Sequence, residues 1–590
     1  MGKDPKTHHN ELEVLNGLTL NKSFSKIKDY LECLPASLKG PVFEEYLRFL
    51  YAGNGWLVKV KGGKGDVGAD LLLYHPKTPE RAAFIVQAKN WSMPLTYDDA
   101  IVELHKFEEK GRKEYDCAFY QLIALNGYVK EAKKLSRFNM LLHGWDYIRS
   151  LIDGYDSDGV PEPRIDLYPH NIRSYEKVKR SFKKSDRVCV IQATGTGKSY
   201  LIGKLVSDNI EKKSIILAPS RYILRQIERD FHYVLSHNVR MTYAKLSRLR
   251  ADEFKSEQYD LIIIDEYHRP GAKEWGKGVA ALLDANPNAK VFGTTATPIR
   301  YLDDGRDMSE ELFAGNVANE ITLPSAIARR ILKAPVYISA LYTLNEEMEL
   351  LRSKIVDSRR SDEEKESLFE EVKAANIDWE KAKGIPKILK NHLKQGTNKI
   401  IVFCRDRYHL DEMELEVQKW FLKAFRDRKR VTYRVLSSEN ERDKELKRFK
   451  EAKDTSAIHL LFCIDMLNEG LHVPDVGAVI LLRPTVSPRV FYQQIGRCIQ
   501  AGSGHTPIIF DLVNNFKSIR ASDFTADLEN EIESENKIRE ELGLEPTLLD
   551  VEIHDETKDT VSLFEEIESN IQPWNTHFVF VKLPGGIAPC

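Results

Sequence analysis

Residues 192–199 read QATGTGKS, directly after the apolar run VCVI at 188–191 and ahead of a helical pattern. A glycine-rich turn between strand and helix bares backbone N–H groups, and with the helix N-terminus these hold phosphate oxygens. Gly195, Thr196 and Gly197 would form the cradle, Lys198 would reach the β- and γ-phosphates of ATP, and the Ser199 hydroxyl would ligate Mg2+. This is a Walker A loop with Gln192 at the position of its usual first glycine. Further on, the run LIIID at 261–265 ends in the acidic pair Asp265-Glu266. A buried strand needs neither acid for packing. Asp265 would orient a hydrated Mg2+, and Glu266 would position or deprotonate an attacking water.

A second set of chemically capable residues lies earlier. Glu44 sits in the amphipathic stretch VFEEYLRFLYAG, Asp70 follows a Gly-rich turn, and FIVQAKNW at 84–91 carries Gln87 and Lys89. Two residues apart in an extended strand, Gln87 and Lys89 share one face, with Val86 and Ala88 on the other. Asp70 begins the preceding strand, and antiparallel pairing would set it beside Gln87. Asp70 and Glu44 could ligate Mg2+, a hard ion that prefers oxygen, with the Gln87 carbonyl as a further ligand. Lys89 would orient or help deprotonate a water and balance charge on a phosphodiester, while the metal activates that water. Asp66 reads as a turn residue, with a secondary metal ligand as the alternative, and Glu45 is the alternative helix acid.

These residues need elements to hold them. The 590 residues allow roughly three to five domains. A hydrophobic share of 42% with 30% charged residues suits a globular chain and excludes a disordered one. No apolar run approaches the roughly 18 residues of a membrane span, and the N-terminus lacks a signal-peptide core. The seven cysteines are scattered without a CxxC pair, which points to a reducing cytoplasmic setting and away from zinc or a disulfide framework. A net charge of −2 confines any nucleic-acid contact to local patches: Lys59, Lys61 and Lys64, the stretch 173–187, and the stretch 423–430.

Along the chain, residues 1–40 read as an N-terminal extension, and 41–153 form one α/β pattern. Residues 150–164 are rich in Gly, Pro and Asp and read as a linker, its core at 154–164. Short apolar strands alternate with helices over 165–335 and again over 393–516, which implies parallel sheets covered on both faces. A charged helical insert is expected over 336–392 and an acidic C-terminal segment over 517–590. The bland reading of that segment is a solvated helical tail; an interaction region or a mimic of the DNA backbone are the alternatives.

With DEYH at 265–268, the second half resembles superfamily 2 helicases of the DEAD/DEAH type, and further motif-like stretches follow in order. LAPSRYILRQ, TYAKLSR, TTATP, IIVFC, LLFCIDMLNEGLHVPDV and YQQIGRCIQ look like motifs Ia, Ib, III, IV, V and VI. The resemblance implies two RecA-like domains clamping ATP, with His268 in the nucleotide site, Gln494 and Arg497 as motif VI catalytic residues, and nucleic acid crossing the top. Ser220, Arg221, Thr242 and Thr295 become candidate phosphate contacts, and YPHN at 168–171 loosely matches an adenine-contacting segment. Gln500 stands where the family has its second arginine, and His472 where an Asp is common.

FEEYL, GDVGADLLLY and VQAKNW, with GYVKEAKKL and LLHGWDYI after them, resemble the PD-(D/E)xK nucleases, and among them the Mrr-type restriction endonucleases. Gln87 in place of a second acid is usual for that branch. The two resemblances together imply an α/β chain: a restriction-endonuclease-like α/β/α domain, two RecA-like parallel-sheet domains and a mostly helical C-terminal tail. The implied activity is that of an ATP- and Mg2+-dependent DNA translocase or helicase joined to a DNA endonuclease, similar to Type I restriction motor subunits, in a restriction or anti-phage role. Its partners would be double-stranded DNA with single-stranded regions and a methyltransferase, specificity or other defence subunit, without a membrane. A repair or recombination helicase–nuclease, and an active motor with a non-catalytic DNA-binding N-terminal domain, are the alternatives.

Overall fold

The computed structural model of the protein describes residues 5–61, 68–76, 78–156, 165–235, 238–249, 258–271, 273–297, 299–300, 306–340, 355–356, 361–370, 384–393, 396–435, 439–464, 475–483, 494–495, 498–499, 506–513, 521–547 and 553–555. Three larger sheets organise it.

The first has five strands in the order Leu57–Val60, Leu71–His75, Thr78–Lys89, Tyr120–Ala124, Met140–His143. The first three pair antiparallel and the last three parallel. The alternation of Thr78–Lys89 divides two cores. Phe84, Val86 and Ala88 pack with Val42, Phe43 and Tyr46 of the helix Ala36–Gly53, whereas Ile85 packs with Ala100, Leu104 and Phe107 on the opposite face. The expected extension at 1–40 is part of this domain. Its helices Pro5–Leu20 and Phe24–Cys33 bury Leu15, Ile27 and Leu31 in the first of those cores. The helix Trp145–Asp153, with Leu151 and Ile152 buried, ends at the expected domain boundary, ahead of the linker at 154–164.

The second sheet is wholly parallel, ordered Val317–Ile321, Arg187–Gln192, Lys290–Thr295, Leu261–Asp265, Ser214–Ala218, Asn238–Thr242. Its central strands are buried along their length, as a sheet covered on both faces requires. The third, also parallel, runs Arg430–Val435, Ile458–Cys463, Lys399–Phe403, Val476–Leu481, Ile508–Asp511, Val336–Ser339, Ile553–Asp555.

Two expected boundaries move. Val336–Ser339 is a strand of the third sheet, and Ile385–His392 packs in the core of the same domain, so the helical insert does not span 336–392. The four-residue strand is recognisable only beside its partner Ile508–Asp511, far along the chain. Within the acidic segment, the described residues are not a solvated tail. The helix Ala521–Glu541 packs on the helix Leu323–Ala328, Leu528 enters the core between the second- and third-sheet domains, and Leu544 enters a core of the first-sheet domain.

Candidate active sites

The register of the first sheet sets Leu71 opposite Val86, which puts Asp70 opposite Gln87. Asp70 donates its backbone N–H to Val86 O at 2.9 Å. Its Oδ2 accepts from Gln87 Nε2 at 2.8 Å and from the Ala88 amide at 2.7 Å. Asp70 is 4% exposed and Gln87 3%. Lys89 shares that face and donates to Glu103 Oε1 at 3.0 Å. Glu103 belongs to the helix Tyr97–Lys106, whose N-terminus is closed by a reciprocal Thr96–Asp99 capping box.

The structure therefore joins Asp70 to Gln87 and sets Lys89 on the same sheet face. Glu44 is half-buried on the helix Ala36–Gly53, which covers the opposite sheet face, that of Val86 and Ala88. It can approach the others only round the end of the sheet. Asn90 lies at that end and donates to Leu31 O at 2.8 Å. Glu45 pairs with Arg48 on its own helix. Asp66 and Lys64 lie outside the described residues.

The donor set suits a hard cation. Gln87 Oε1 is buried without a hydrogen-bond partner among the described residues, and a buried acceptor left unused is costly. A Mg2+ ion takes oxygen ligands and keeps several waters. No group of three or more His, Cys, Asp or Glu side chains able to hold a metal occurs among the described residues. An ion beside Asp70 and Gln87 would thus draw much of its shell from water, backbone and phosphate.

Glu103 was missed by the sequence reading. Its signal was a carboxylate in the stripe Ala100, Glu103, Leu104, Phe107, where the helix faces its core.

The second sheet gathers the candidate nucleotide-binding residues at the C-terminal ends of adjacent strands. Gly195 and Gly197 have φ of 88° and 87°, conformations that favour glycine, and a Cβ on Gly197 would lie 2.9 Å from Asn171 Nδ2. Behind the loop, His170 Nε2 and Asn171 Nδ2 donate to Thr196 O at 2.7 and 2.8 Å. Burial pushes the His170 imidazole down to about 3, so it stays neutral there. YPHN therefore braces the loop from behind. Thr196 is buried, and its Oγ1 donates to Ala193 O at 2.8 Å. Lys198 Nζ donates to Gln192 O at 3.1 Å and stands 4.0 Å from Glu266 Oε1. Ser199 is half-buried at the start of the helix Lys198–Ser207.

The strand Lys290–Thr295 lies between the Walker A and Walker B strands. Thr294 Oγ1 donates to Asp265 Oδ1 at 2.6 Å, and the Glu266 amide donates to the same oxygen at 3.1 Å. Burial first, and then the Glu266 charge, push the Asp265 carboxyl up to about 6. A divalent cation relieves both causes, so the pair fits one. Glu266 has φ of 54°, the left-handed region in which a side chain is strained. Thr295 Oγ1 lies 2.8 Å from His268 Nδ1 and 3.4 Å from Glu266 Oε2. His268 thus stands within the Walker B network, and Thr295 belongs to that network as well.

Ser220 and Thr242 cap the helices Arg221–Phe231 and Tyr243–Leu246. Gln494 is fully buried, with neither amide atom hydrogen-bonded among the described residues. Arg497, Gln500 and His472 lie outside them. Two expected basic patches have structural work: Arg173 is half-buried at the domain junction and donates to Arg137 O, and Arg428 donates to Ala457 O.

The domains that carry the two sites are in direct contact. Buried Glu108 accepts from Arg112 of its own domain at 2.8 Å, from Arg330 of the first motor domain at 3.1 Å and from Arg539 of the C-terminal helix at 2.9 Å. Tyr168 stacks on Phe119 at 4.5 Å between centroids, Asn139 Nδ2 donates to Arg329 O at 3.0 Å, and Arg137 pairs with Glu535 at 2.9 Å.

Comparison with known families gives three matches in order. Residues 35–144 match the restriction endonuclease family of the Mrr catalytic type. Residues 164–247 and 238–300 match the family described as Type III restriction enzyme, res subunit, and 380–502 the helicase conserved C-terminal domain. A 51.5 kDa protein of a Lactococcus phage is 25% identical over 331 residues, covering 55% of this chain and 64% of its own. The protein named "Probable helicase A859L" of African swine fever virus is 24% identical over 386 residues, 59% of this chain and 41% of its own. The chain thus spans between about two fifths and two thirds of these relatives. Among solved structures, the Type ISP restriction-modification enzyme LlaBIII bound to DNA aligns over 93% of this chain and 43% of its own, with 15% identity and a TM-score of 0.45.

Proposed function

We propose that this chain, a restriction endonuclease domain of the Mrr type joined to the two halves of a superfamily 2 helicase core, is an ATP-driven DNA translocase or helicase carrying a Mg2+-dependent DNA endonuclease. The observation that carries the reading is the meeting of Asp70, Gln87 and Lys89 on one sheet face of a domain docked onto the motor through Glu108. At the first site Asp70 and the Gln87 carbonyl would hold the ion, with Glu44 approaching round the sheet end. The ion would activate water and shield the scissile phosphate. Lys89 would orient that water and balance phosphate charge. In the motor, Gly195 to Ser199 would cradle the phosphates, Asp265 would hold the second ion, and Glu266 would position or deprotonate the attacking water, with His268, Gln494 and Arg497 completing the site.

The cut site would be chosen by a partner such as a methyltransferase or specificity subunit, by DNA structure, or not at all. Among the described residues no helix is long and apolar enough to cross a membrane. A restriction or anti-phage role is the biological reading; the phage and viral relatives keep a role in viral DNA metabolism as its competitor.

Supercoiled plasmid with Mg2+, with and without ATP, is the test. Wild type should nick or linearise it; Asp70→Ala and Lys89→Ala should not. Equal cutting by all three removes the nuclease reading. Lys198→Ala should abolish DNA-stimulated ATPase, and full activity there removes the motor reading. Stimulation by RNA and not DNA would reassign the substrate.

A further inference from the structure

The helix Tyr97–Lys106 turns Ala100 and Leu104 into the sheet core, and Glu103 stands between them at 6% exposure. Its Oε1 accepts from Lys89 Nζ at 3.0 Å and from Lys106 Nζ at 3.0 Å. Its Oε2 is buried without a hydrogen-bond partner among the described residues, as is Gln87 Oε1 on the same sheet face. The Lys89 ammonium stands between this carboxylate and the Trp91 ring, 6.0 Å from the ring centroid.

A purely structural ion pair explains little of this. Lys106, three residues along the same helix, already neutralises Glu103 from a more exposed position. It needs neither the strand lysine nor a second oxygen buried and unused. Two unused acceptors flanking one lysine suit a site that receives donors later, and waters carried by a divalent ion are such donors.

We infer that Glu103 is a positioning residue of the nuclease site. Its Oε1 fixes the Lys89 ammonium on the face shared with Asp70 and Gln87, and its Oε2 is the acceptor for a water arriving with the ion. The inference rests on the nuclease reading above and adds an outer-shell carboxylate that neither of this chain's motif resemblances supplied.

The test uses the full chain as wild type, Glu103→Gln, Glu103→Asp and Lys106→Ala. Three quantities are read: plasmid nicking in Mg2+, calorimetric Mn2+ binding without DNA, and DNA-stimulated ATPase. Glu103→Gln should lower kcat for nicking about tenfold or more with KM within about twofold, and weaken Mn2+ binding several-fold. Glu103→Asp should recover part of both, and Lys106→Ala should nick and bind Mn2+ like wild type. ATPase should be unchanged in all. Wild-type nicking by Glu103→Gln, or equal losses in Lys106→Ala and Glu103→Gln, overturns the inference. Should Glu103→Gln misfold, Glu103→Asp against Lys106→Ala decides: a loss confined to Glu103→Asp supports the role, and equal behaviour overturns it. Indifference of nicking to Asp70→Ala would instead sink the nuclease reading itself.

Discussion

Glu108 offers the sharpest perturbation. Its side chain and that of Arg539 are each 4% exposed, and three guanidinium groups from three parts of the chain converge on the one carboxylate. Burial pushes its carboxyl up, but Arg112, Arg539 and Arg330 together outweigh that and hold it below its ordinary value. Arg330 shifts down to about 10, because burial and the neighbouring Arg112 outweigh what its share of Glu108 returns. The cluster is therefore short of negative charge; Glu108 is the carboxylate that all three arginines bond, and Glu535 adds a smaller effect on Arg330. Glu108→Gln removes that charge while keeping the shape. Removing one partner of a buried pair costs about 3–5 kcal/mol, and here three arginines lose their partner at once. At about 1.4 kcal/mol per decade this multiplies the open population of the junction by about two to three and a half orders of magnitude. The readout is hydrogen exchange at pH 7 in the helix Ala521–Glu541, which should speed up by about that factor while the motor sheet stays protected. Arg539→Ala should cost less, since Glu108 keeps two partners. A rise in exchange under about threefold for Glu108→Gln would refute the argument, as would equal deprotection of the motor sheet. The pH dependence carries a definite sign. A lowered folded value means the contribution is complete above the ordinary 4.5 and is lost as pH falls through the lower folded value, so the junction should open first in acid titration.

Three further outcomes follow from the motor site. Glu266→Gln should lower ATP hydrolysis by about a hundredfold or more while nucleotide binding, measured with a fluorescent analogue, persists. Asp265 has its folded value raised from 3.8 to about 6, so the ion-free fold loses this group's share of stability as pH rises through that window. Mg2+ needs the ionised form, so its affinity in titration calorimetry should fall by up to about tenfold per pH unit below about 6 and level off above it. Gly197→Ala should abolish ATP binding, because φ of 87° strains the new side chain and its Cβ meets Asn171, while the melting temperature of the nuclease domain stays put.

What could be read from the sequence was what is local. QATGTGKS and DEYH are contiguous, and each places polar groups where a strand or loop has no packing use for them. The period-two alternation of FIVQAKNW put Gln87 and Lys89 on one face, and the short connection back to Asp70 made the antiparallel register the economical one. The same alternation carried information that was not used. Glu44 lies on a helix whose apolar residues match the Val86–Ala88 side, so that helix had to cover the face opposite Gln87 and Lys89. Residues with remote partners could not be read at all. Glu108 looked like one more acid in a charged helix, because Arg330 and Arg539 lie hundreds of positions away. The acidic composition of 517–590 likewise hid Leu528 and Leu544, which bury into two different cores.

One structural element ties these observations together. Glu103 and Glu108 stand five residues apart on one rod. Successive helical residues point in different directions, so one rod can face the sheet with one acid and the motor with the other. The chain widens to a π-helical turn over Phe107–Gly111, the turn that carries Glu108. An inserted residue of this kind resets the direction of everything beyond it, and such turns often mark functional positions. Phe107 stacks on Tyr120 at 4.6 Å between centroids and anchors the turn in the core. Arg330 is itself held at φ of 53°, a strained conformation for a residue with a side chain. A close-packed interior transmits displacement in place of absorbing it. Any motion of the first motor domain that carries Arg330 away from Arg539 must therefore break its bond to Glu108 or drag the rod that holds Lys89 through Glu103. The motor and the nuclease face are thus linked by two buried carboxylates on one stiff helix, and neither shows in the motifs by which either domain is recognised.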